Sequence, residues 1–134
     1  MTQGNTVERV LADTNAFLYF INNDSSLTEK ARDVLESDVS VCLSSASIWE
    51  VAIKVSIGKL TLPDAIGTFI PTQLQENNID IIVPSIDDYE QVSRLPFHHK
   101  DPFDRLIIAQ AIVAGLPVVS SDADFDHYGI TRIW

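Results

Sequence analysis

The sequence has one cysteine, Cys42, and no apolar run long enough to cross a membrane. A single cysteine cannot build a disulfide framework or a cysteine metal site, and its place in an apolar segment fits a reducing compartment. The longest apolar segment, residues 106–119, is interrupted by glutamine, glycine and proline and is shorter than the roughly 20 residues that a membrane helix needs. The first residues also lack a signal-peptide pattern. We therefore expect a soluble, cytoplasmic protein.

Basic residues are scarce as well. Nine lysines and arginines stand against 19 aspartates and glutamates, which gives a net charge of −10. This balance argues against a protein that coats nucleic acid with a basic face, but it is compatible with an enzyme that contacts nucleic acid through metal ions and a local basic patch. The length of 134 residues and the 46% hydrophobic content are those of one globular domain. We expect a single domain over residues 1–134, with residues 1–6 as a flexible extension.

Apolar runs of valine, isoleucine and leucine alternate along the chain with helical patterns. Continuous apolar strands of this kind are typical of a parallel sheet that is covered on both faces. The sequence therefore predicts an α/β protein, a three-layer α/β/α sandwich with a mainly parallel central sheet. Ser26 and Glu29 have the spacing of a capping box, which predicts a helix start, and Pro71 is expected to break residues 64–77 into two short helices. The predicted strands are residues 7–12, 39–43, 79–83, 117–120 and 130–134.

Acidic residues recur where these elements begin or end. Asp13 and Asp122 follow predicted strands, and ligand sites in parallel sheets lie beyond the carboxyl ends of the strands. Asp101 followed by Pro102 predicts a helix start, with Asp104 in the first turn and at the same edge of the sheet. Asp101 taken alone is equally well explained as a helix cap.

Glu50 is the remaining acid of interest, because it lies in a helix that is otherwise almost entirely apolar. One interpretation is a surface ion pair with Lys54, four residues later. The other follows from its position less than two turns into the helix, from which its carboxylate can reach the edge where the other acids gather. The pattern leaves both interpretations open.

Carboxylates that converge in this way need a cation. Two of them about 5 Å apart repel by roughly 3 kcal/mol at an effective dielectric constant near 20. Protonation or a bound ion relieves this repulsion, and ligands that are all oxygen favour Mg²⁺ or Mn²⁺ over zinc. Such a site is suited to phosphodiester hydrolysis.

The segment that precedes the Asp104 helix carries several cationic or titratable side chains. The histidines lack the spacing of a zinc motif, so we interpret them as loop residues. A solvated loop and a phosphate-binding loop are equally compatible with the pattern. If the second interpretation holds, the contacts come from His98, His99, Lys100 and Arg105.

Five segments, in this order along the chain, resemble PIN-domain ribonucleases, in particular the VapC-type toxins of bacterial toxin–antitoxin pairs. The similarity runs from about Val10 to the C-terminus. Each segment alone is a weak motif, whereas the ordered set is specific. The segments are residues 11–15 (LADTN), 44–54 (SSASIWEVAIK), 58–60 (GKL), 98–110 (HHKDPFDRLIIAQ) and 120–125 (SSDADF).

The resemblance implies a metal-dependent endoribonuclease, the toxin of a toxin–antitoxin pair, with RNA as substrate, a protein antitoxin and a homodimeric state. It also implies Mg²⁺ or Mn²⁺ held by four acids, with Asp101 and Asp124 as alternative ligands. Asn15 departs from the pattern, because this branch often carries histidine there. The four implied ligands are Asp13, Glu50, Asp104 and Asp122, and the candidate substrate contacts are Ser120, where the family often has threonine, His99, Lys100 and Arg105.

Two other functions share some of these sequence features. A phosphatase of the haloacid dehalogenase type also begins with strand, aspartate and threonine, but it needs a second aspartate two residues after Asp13, where this chain has Asn15. A non-catalytic PIN-like binding module with a decayed acidic site is the other alternative. The complete set of acids argues against decay.

Overall fold

The computed structural model describes residues 8–134, so the predicted extension over residues 1–6 and the predicted strand start at Val7 lie outside the described residues. The five strands of this part of the chain form one sheet in the order β3-β2-β1-β4-β5, and every pairing is parallel. The prediction of a mainly parallel sheet is confirmed. The strands are β1 (Arg9–Ala12), β2 (Ser40–Ser44), β3 (Ile79–Ile82), β4 (Val118–Val119) and β5 (Arg132–Ile133).

Helices cover both faces of this sheet, because side chains of a strand alternate between its two faces. Val10 and Ala12 belong to the core cluster under the first four helices, whereas Leu11 belongs to the opposite cluster, under the last two. This is the predicted three-layer sandwich. No helix in the described part of the chain is long and apolar enough to cross a membrane. The helices are α1 (Thr14–Ile21), α2 (Glu29–Glu36), α3 (Ser45–Ser56), α4 (Ile66–Glu76), α5 (Ile86–Arg94) and α6 (Pro102–Ala114).

The strand order contains one reversal of direction, and it lies between β1 and β4. The chain moves outward from β1 through β2 to β3, then returns to place β4 and β5 on the other side of β1. A crevice forms at such a switch point, beyond the carboxyl ends of the two strands. Asp13 directly follows β1, and Asp122 lies three residues after β4.

The prediction that Pro71 divides its segment into two helices is wrong. Helix α4 continues through Pro71, although proline removes the hydrogen bond to the carbonyl of Gly67. Both residues are exposed, so water can satisfy that carbonyl, and the hydroxyl of Thr72 donates to the carbonyl of Thr68 at 2.8 Å. Burial of Ile70 in the core outweighs the lost bond.

Two smaller local predictions also need correction. Helix α2 is capped by Thr28, whose side chain accepts the N–H of Ala31, while the predicted cap, Ser26, lies in the preceding turn and donates its own N–H to Asp24. After β4, a short 3₁₀ helix over Ala123–Tyr128 was not predicted. It matters because its cap is Asp122.

Candidate metal centre

Backbone N–H groups donate hydrogen bonds to the carboxylates of Asp13 and Asp122 and hold them at the switch point. Asp13 is buried and caps α1, with its Oδ1 accepting the N–H of Ala16 at 2.8 Å. Asp122 caps the 3₁₀ helix, with its Oδ1 accepting the N–H of Asp124 at 3.0 Å. The buried Ser120 joins them, because its hydroxyl donates to the carboxylate of Asp13 and accepts the N–H of Asp122.

Asp104 reaches the same edge from the first turn of α6. The helix begins as predicted, with Asp101 as its cap and Pro102 at its first position. Asp101 Oδ1 accepts the N–H groups of Phe103 and Asp104 at 2.9 and 3.0 Å. His99, in the loop before the cap, places its Nε2 2.7 Å from Asp122 Oδ2 and 3.2 Å from Asp104 Oδ2. One imidazole therefore bridges two carboxylates that come from different elements.

Glu50 has features of both interpretations. Its Oε2 forms the predicted ion pair with Lys54, at 3.2 Å. Its side chain is nevertheless only 12% exposed, and its Oε1 is buried without a hydrogen-bond partner among the described residues. The charge of this carboxylate raises the pKa of both Asp13 and Asp104. Glu50 thus belongs to the acidic edge as well as to a surface pair.

Burial and mutual repulsion make two of these acids hard to ionise. Burial raises the pKa of Asp13 to about 6, and the charges of Asp122 and Glu50 add to the increase, while hydrogen bonds from Ser120 and Ala16 oppose it. Burial also raises the pKa of Asp104 to about 7, with further contributions from Asp101, Asp13 and Glu50 and an opposing one from His99. These interactions connect four carboxylates, which we call the rim acids: Asp13, Glu50, Asp104 and Asp122.

The rim acids have the donor chemistry of a divalent-cation site. Their donor atoms are carboxylate oxygens, and the buried, unpartnered Oε1 of Glu50 is costly unless a cation or a proton balances it. Oxygen ligands of this kind suit Mg²⁺ or Mn²⁺. The two alternative ligands differ from the rim acids: Asp101 uses one oxygen to cap α6, and Asp124 is exposed. In the described part of the chain, however, the one group of three ligand atoms within 4.8 Å of one another comes from His99, Asp122 and Asp124, and the rim acids do not form such a group.

Arg105, one of the possible phosphate contacts, is engaged elsewhere in the structure. This side chain is buried, and its guanidinium donates to the backbone carbonyls of Val92, Leu95, Pro96 and His99. It also lies over the ring of Phe97, 4.1 Å from the ring centroid. A guanidinium with these partners secures a loop and has no face left for a phosphate. Of the other candidate contacts, Ser120 is fully buried beneath Asp13 and Lys100 is exposed.

One polar contact beside the rim acids was not predicted. Thr14 donates its hydroxyl to Ser47 at 2.9 Å, and both side chains are buried. Thr14 follows Asp13, and Ser47 lies one helical turn before Glu50, so the bond fixes the distance between the helices that carry these two acids. This contact could have been inferred from the positions of the two residues in the sequence. One small polar residue follows an acid directly, and the other stands three residues before a second acid, both in otherwise apolar segments.

Comparison with known proteins agrees with this geometry. A family model described as PIN domain matches residues 10–130. No curated protein sequence matches the chain.

Similar solved structures support the same fold. VapBC2 from Rickettsia felis, bound to a DNA fragment from their promoter, has a TM-score of 0.70 and 17% identity, over 92% of this chain and 96% of that one. DNA-bound VapBC from Salmonella typhimurium has a TM-score of 0.69 and 18% identity, over 95% and 97% of the two chains. VapBC-5 from Mycobacterium tuberculosis, a member of the VapBC family of toxin–antitoxin systems, has a TM-score of 0.59 and 19% identity, over 92% and 98%.

Proposed function

The chain belongs to the PIN domain family, and on this premise we propose that it is a Mg²⁺- or Mn²⁺-dependent endoribonuclease whose rim acids hold the ion. PIN nucleases generally use a divalent metal. The observation that carries the proposal is the convergence of four carboxylates at the switch point of a parallel sheet, one of them with a buried oxygen that lacks a partner. The haloacid dehalogenase alternative has no corresponding support, because the residue two positions after Asp13 is Asn15.

The chain's own contribution is to hold and orient the ion's ligands. A bound divalent ion supplies positive charge at the scissile phosphate and activation of water. Hydrogen bonds from Ala16 and Ser120 orient the carboxylate of Asp13 before an ion arrives. Because the pKa of Asp104 is raised to about 7, this group is partly protonated at neutral pH, and a cation held by it would favour the deprotonated carboxylate.

We also propose that the protein is the toxin of a toxin–antitoxin pair. Its structural relatives include a toxin–antitoxin complex from Klebsiella pneumoniae as well as the VapBC structures. An acidic edge attracts cations, so an antitoxin segment that carries arginine or lysine can enter it and block access of the ion or the substrate. The net charge of −10 supports a partner with basic segments.

A homodimer is part of the same proposal, and one apolar surface supports it. Trp49, Val83 and Tyr89 line a single depression between α3 and α5, and each is at least half exposed. Ile86, at the start of α5, is 80% exposed. Exposed apolar patches of this kind mark interaction sites. Light scattering should give about twice the chain mass of 14.9 kDa, and Trp49→Glu should give a monomer.

The catalytic proposal is tested by metal removal. The purified chain should cleave RNA internally, lose this activity in excess EDTA and regain it with Mg²⁺ or Mn²⁺. Asp13→Asn is the control for a contaminating nuclease, and it should be inactive under every condition. Cleavage that persists unchanged in excess chelator would contradict the metal mechanism. A chain that binds Mn²⁺ without cutting any RNA would favour the non-catalytic binding module.

A further inference from the structure

His99 is held in place from every side. Its backbone N–H donates to the hydroxyl of Tyr128 at 2.8 Å, and its carbonyl accepts from the guanidinium of Arg105 at 3.3 Å. Its ring packs edge-on against Phe125, with the ring centroids 5.8 Å apart, and its side chain is only 13% exposed. The imidazole therefore has one orientation, and its two nitrogens face fixed partners.

The partners of the two nitrogens determine which one carries the proton. Nδ1 accepts the backbone N–H of Asp101 at 3.1 Å. A backbone N–H is always a donor, so Nδ1 must present its lone pair, and in the neutral ring the proton then resides on Nε2. Nε2 is the nitrogen that lies 2.7 Å from Asp122 and 3.2 Å from Asp104. The ring is thus a fixed N–H donor aimed between two carboxylates.

This hydrogen bonding argues against His99 as a ligand of a metal ion. Three ligand atoms, from His99, Asp122 and Asp124, lie near enough to one another to suggest a mixed nitrogen and oxygen site. Coordination through Nε2 would move the ring proton to Nδ1, where it would meet the N–H of Asp101. A phosphate contact through Nε2 is disfavoured too, because Nε2 is already hydrogen-bonded to Asp122 and lies 3.2 Å from Asp104.

We propose that His99 is a positioning residue, which donates its Nε2–H to Asp104 and Asp122 and is not itself a ligand of the divalent ion. The inference rests on the proposed metal centre and adds to it. The two carboxylates come from α6 and from the segment after β4, and a shared donor holds both of them close to one imidazole. A histidine that coordinated the ion would add a nitrogen to the ligand set, whereas a histidine that only donates a hydrogen bond leaves a set of oxygen ligands.

The experiment compares three substitutions at this position by Mn²⁺ binding, measured by electron paramagnetic resonance on protein stripped of metal. Glutamine places an N–H close to the position of Nε2, so His99→Gln should retain most of the affinity. Asparagine can accept the N–H of Asp101 but is too short to bridge the carboxylates, so His99→Asn and His99→Ala should each lose about 10- to 100-fold. His98→Ala, at the exposed neighbouring histidine, is the matched control and should bind like the wild type.

The spectra supply a second readout, which a merely structural role would not affect. Mn²⁺ bound to the wild type should lack the nitrogen coupling of a directly ligated imidazole. A strong nitrogen coupling that disappears in His99→Gln would overturn the inference while leaving the nuclease proposal intact. Equal Mn²⁺ affinity in the wild type, His99→Gln and His99→Asn would overturn it as well, whereas a wild type that binds no Mn²⁺ would refute the metal centre itself. Circular dichroism of each variant identifies any loss of affinity that comes from unfolding.

Discussion

Asp88 in α5 and Asp104 in α6 occupy the same local position, the third residue of a helix that follows a capping residue. In α5 the carboxylate turns back and accepts the N–H of the cap, Ser85, at 2.8 Å, which completes a capping box. In α6 the corresponding N–H, that of Asp101, is already donated to His99. Asp104 is therefore free to face the other rim acids, and burial, with smaller effects of the neighbouring charges, raises its pKa to about 7.

Sequence spacing alone does not determine whether an acid in the first turn of a helix caps that helix or faces a site. Both positions satisfy the same rule for helix starts. The acceptor of one backbone N–H, that of the capping residue, makes the difference. Where the carboxylate accepts it, the carboxylate belongs to the helix cap, and where another group accepts it, the carboxylate can take part in a site. A negatively charged cap sharpens the difference, because Asp101 repels Asp104 where Ser85 attracts Asp88.

The largest effect expected from this comparison is on activity. Asp104→Ala should lower RNA cleavage by at least about 100-fold, because it removes a proposed metal ligand. Asp88→Ala should leave cleavage within a few-fold of the wild type but lower the free energy of unfolding by about 1 kcal/mol, because the N–H of Ser85 loses its partner. Cleavage assays and chemical denaturation of both variants measure the two effects. Two variants with equal activity would show that the local contrast has no functional meaning.

The next effect concerns the stability of the metal-free protein as pH changes. The folded-state pKa values of Asp13 and Asp104, about 6 and about 7, lie above the ordinary value of 3.8, so the folded chain binds more protons than the unfolded chain between these limits. The free energy of unfolding should therefore fall as pH rises from about 4 to 8. A shift of two units at the buried Asp13 corresponds to roughly 3 kcal/mol over this whole range, and about half of that is lost between pH 5 and 8.

Thermal unfolding in EDTA measures this pH dependence. Asp104→Ala should show a weaker decrease than the wild type and a higher Tm at pH 8, because it removes one of the two perturbed groups and its repulsion. Asp88→Ala should follow the slope of the wild type. A wild-type Tm that stays constant or rises between pH 5 and 8 would contradict the crowding of the rim acids.

The smallest effect is expected at the cap of α6. Asp101→Asn keeps an oxygen that accepts the N–H groups of Phe103 and Asp104, and asparagine caps helices about as well as aspartate. We expect stability within about 0.5 kcal/mol of the wild type and cleavage within a few-fold. Loss of the charge should also lower the pKa of Asp104. If Asp101→Asn proves as inactive as Asp104→Ala, then Asp101 is a ligand and its capping bonds are secondary.

Most of the fold could be predicted because its signals are local. Continuous apolar strands, capping residues and the glycine after α6, which adopts a positive φ of 68°, each act within a few residues. Pro71 shows the limit of local rules, since its penalty is overridden by the burial of Ile70. The positions of the acids along the elements indicated their convergence for the same reason that the sheet could be predicted: strand ends in a parallel sheet share an edge.

The roles of the basic residues could not be predicted in this way. Arg105 is three residues inside a helix and resembles a surface cation until the carbonyls of residues 92–99 are located around it. His99 and Asp122 are 23 residues apart, and their contact depends on how the 3₁₀ helix places its cap. Such contacts follow from tertiary packing, for which a single sequence has no local signature.

The guanidinium of Arg105 has a consequence for how this part of the protein unfolds. It joins four carbonyls, from the end of α5 and the loop that carries His99, to the first turn of α6. We therefore expect the loop and the first turn of α6 to open together, as one cooperative unit in hydrogen exchange. If so, the histidine donor and the carboxylate beside it form and break in a single event, and hydrogen exchange at His99 and Asp104 should report the same opening free energy.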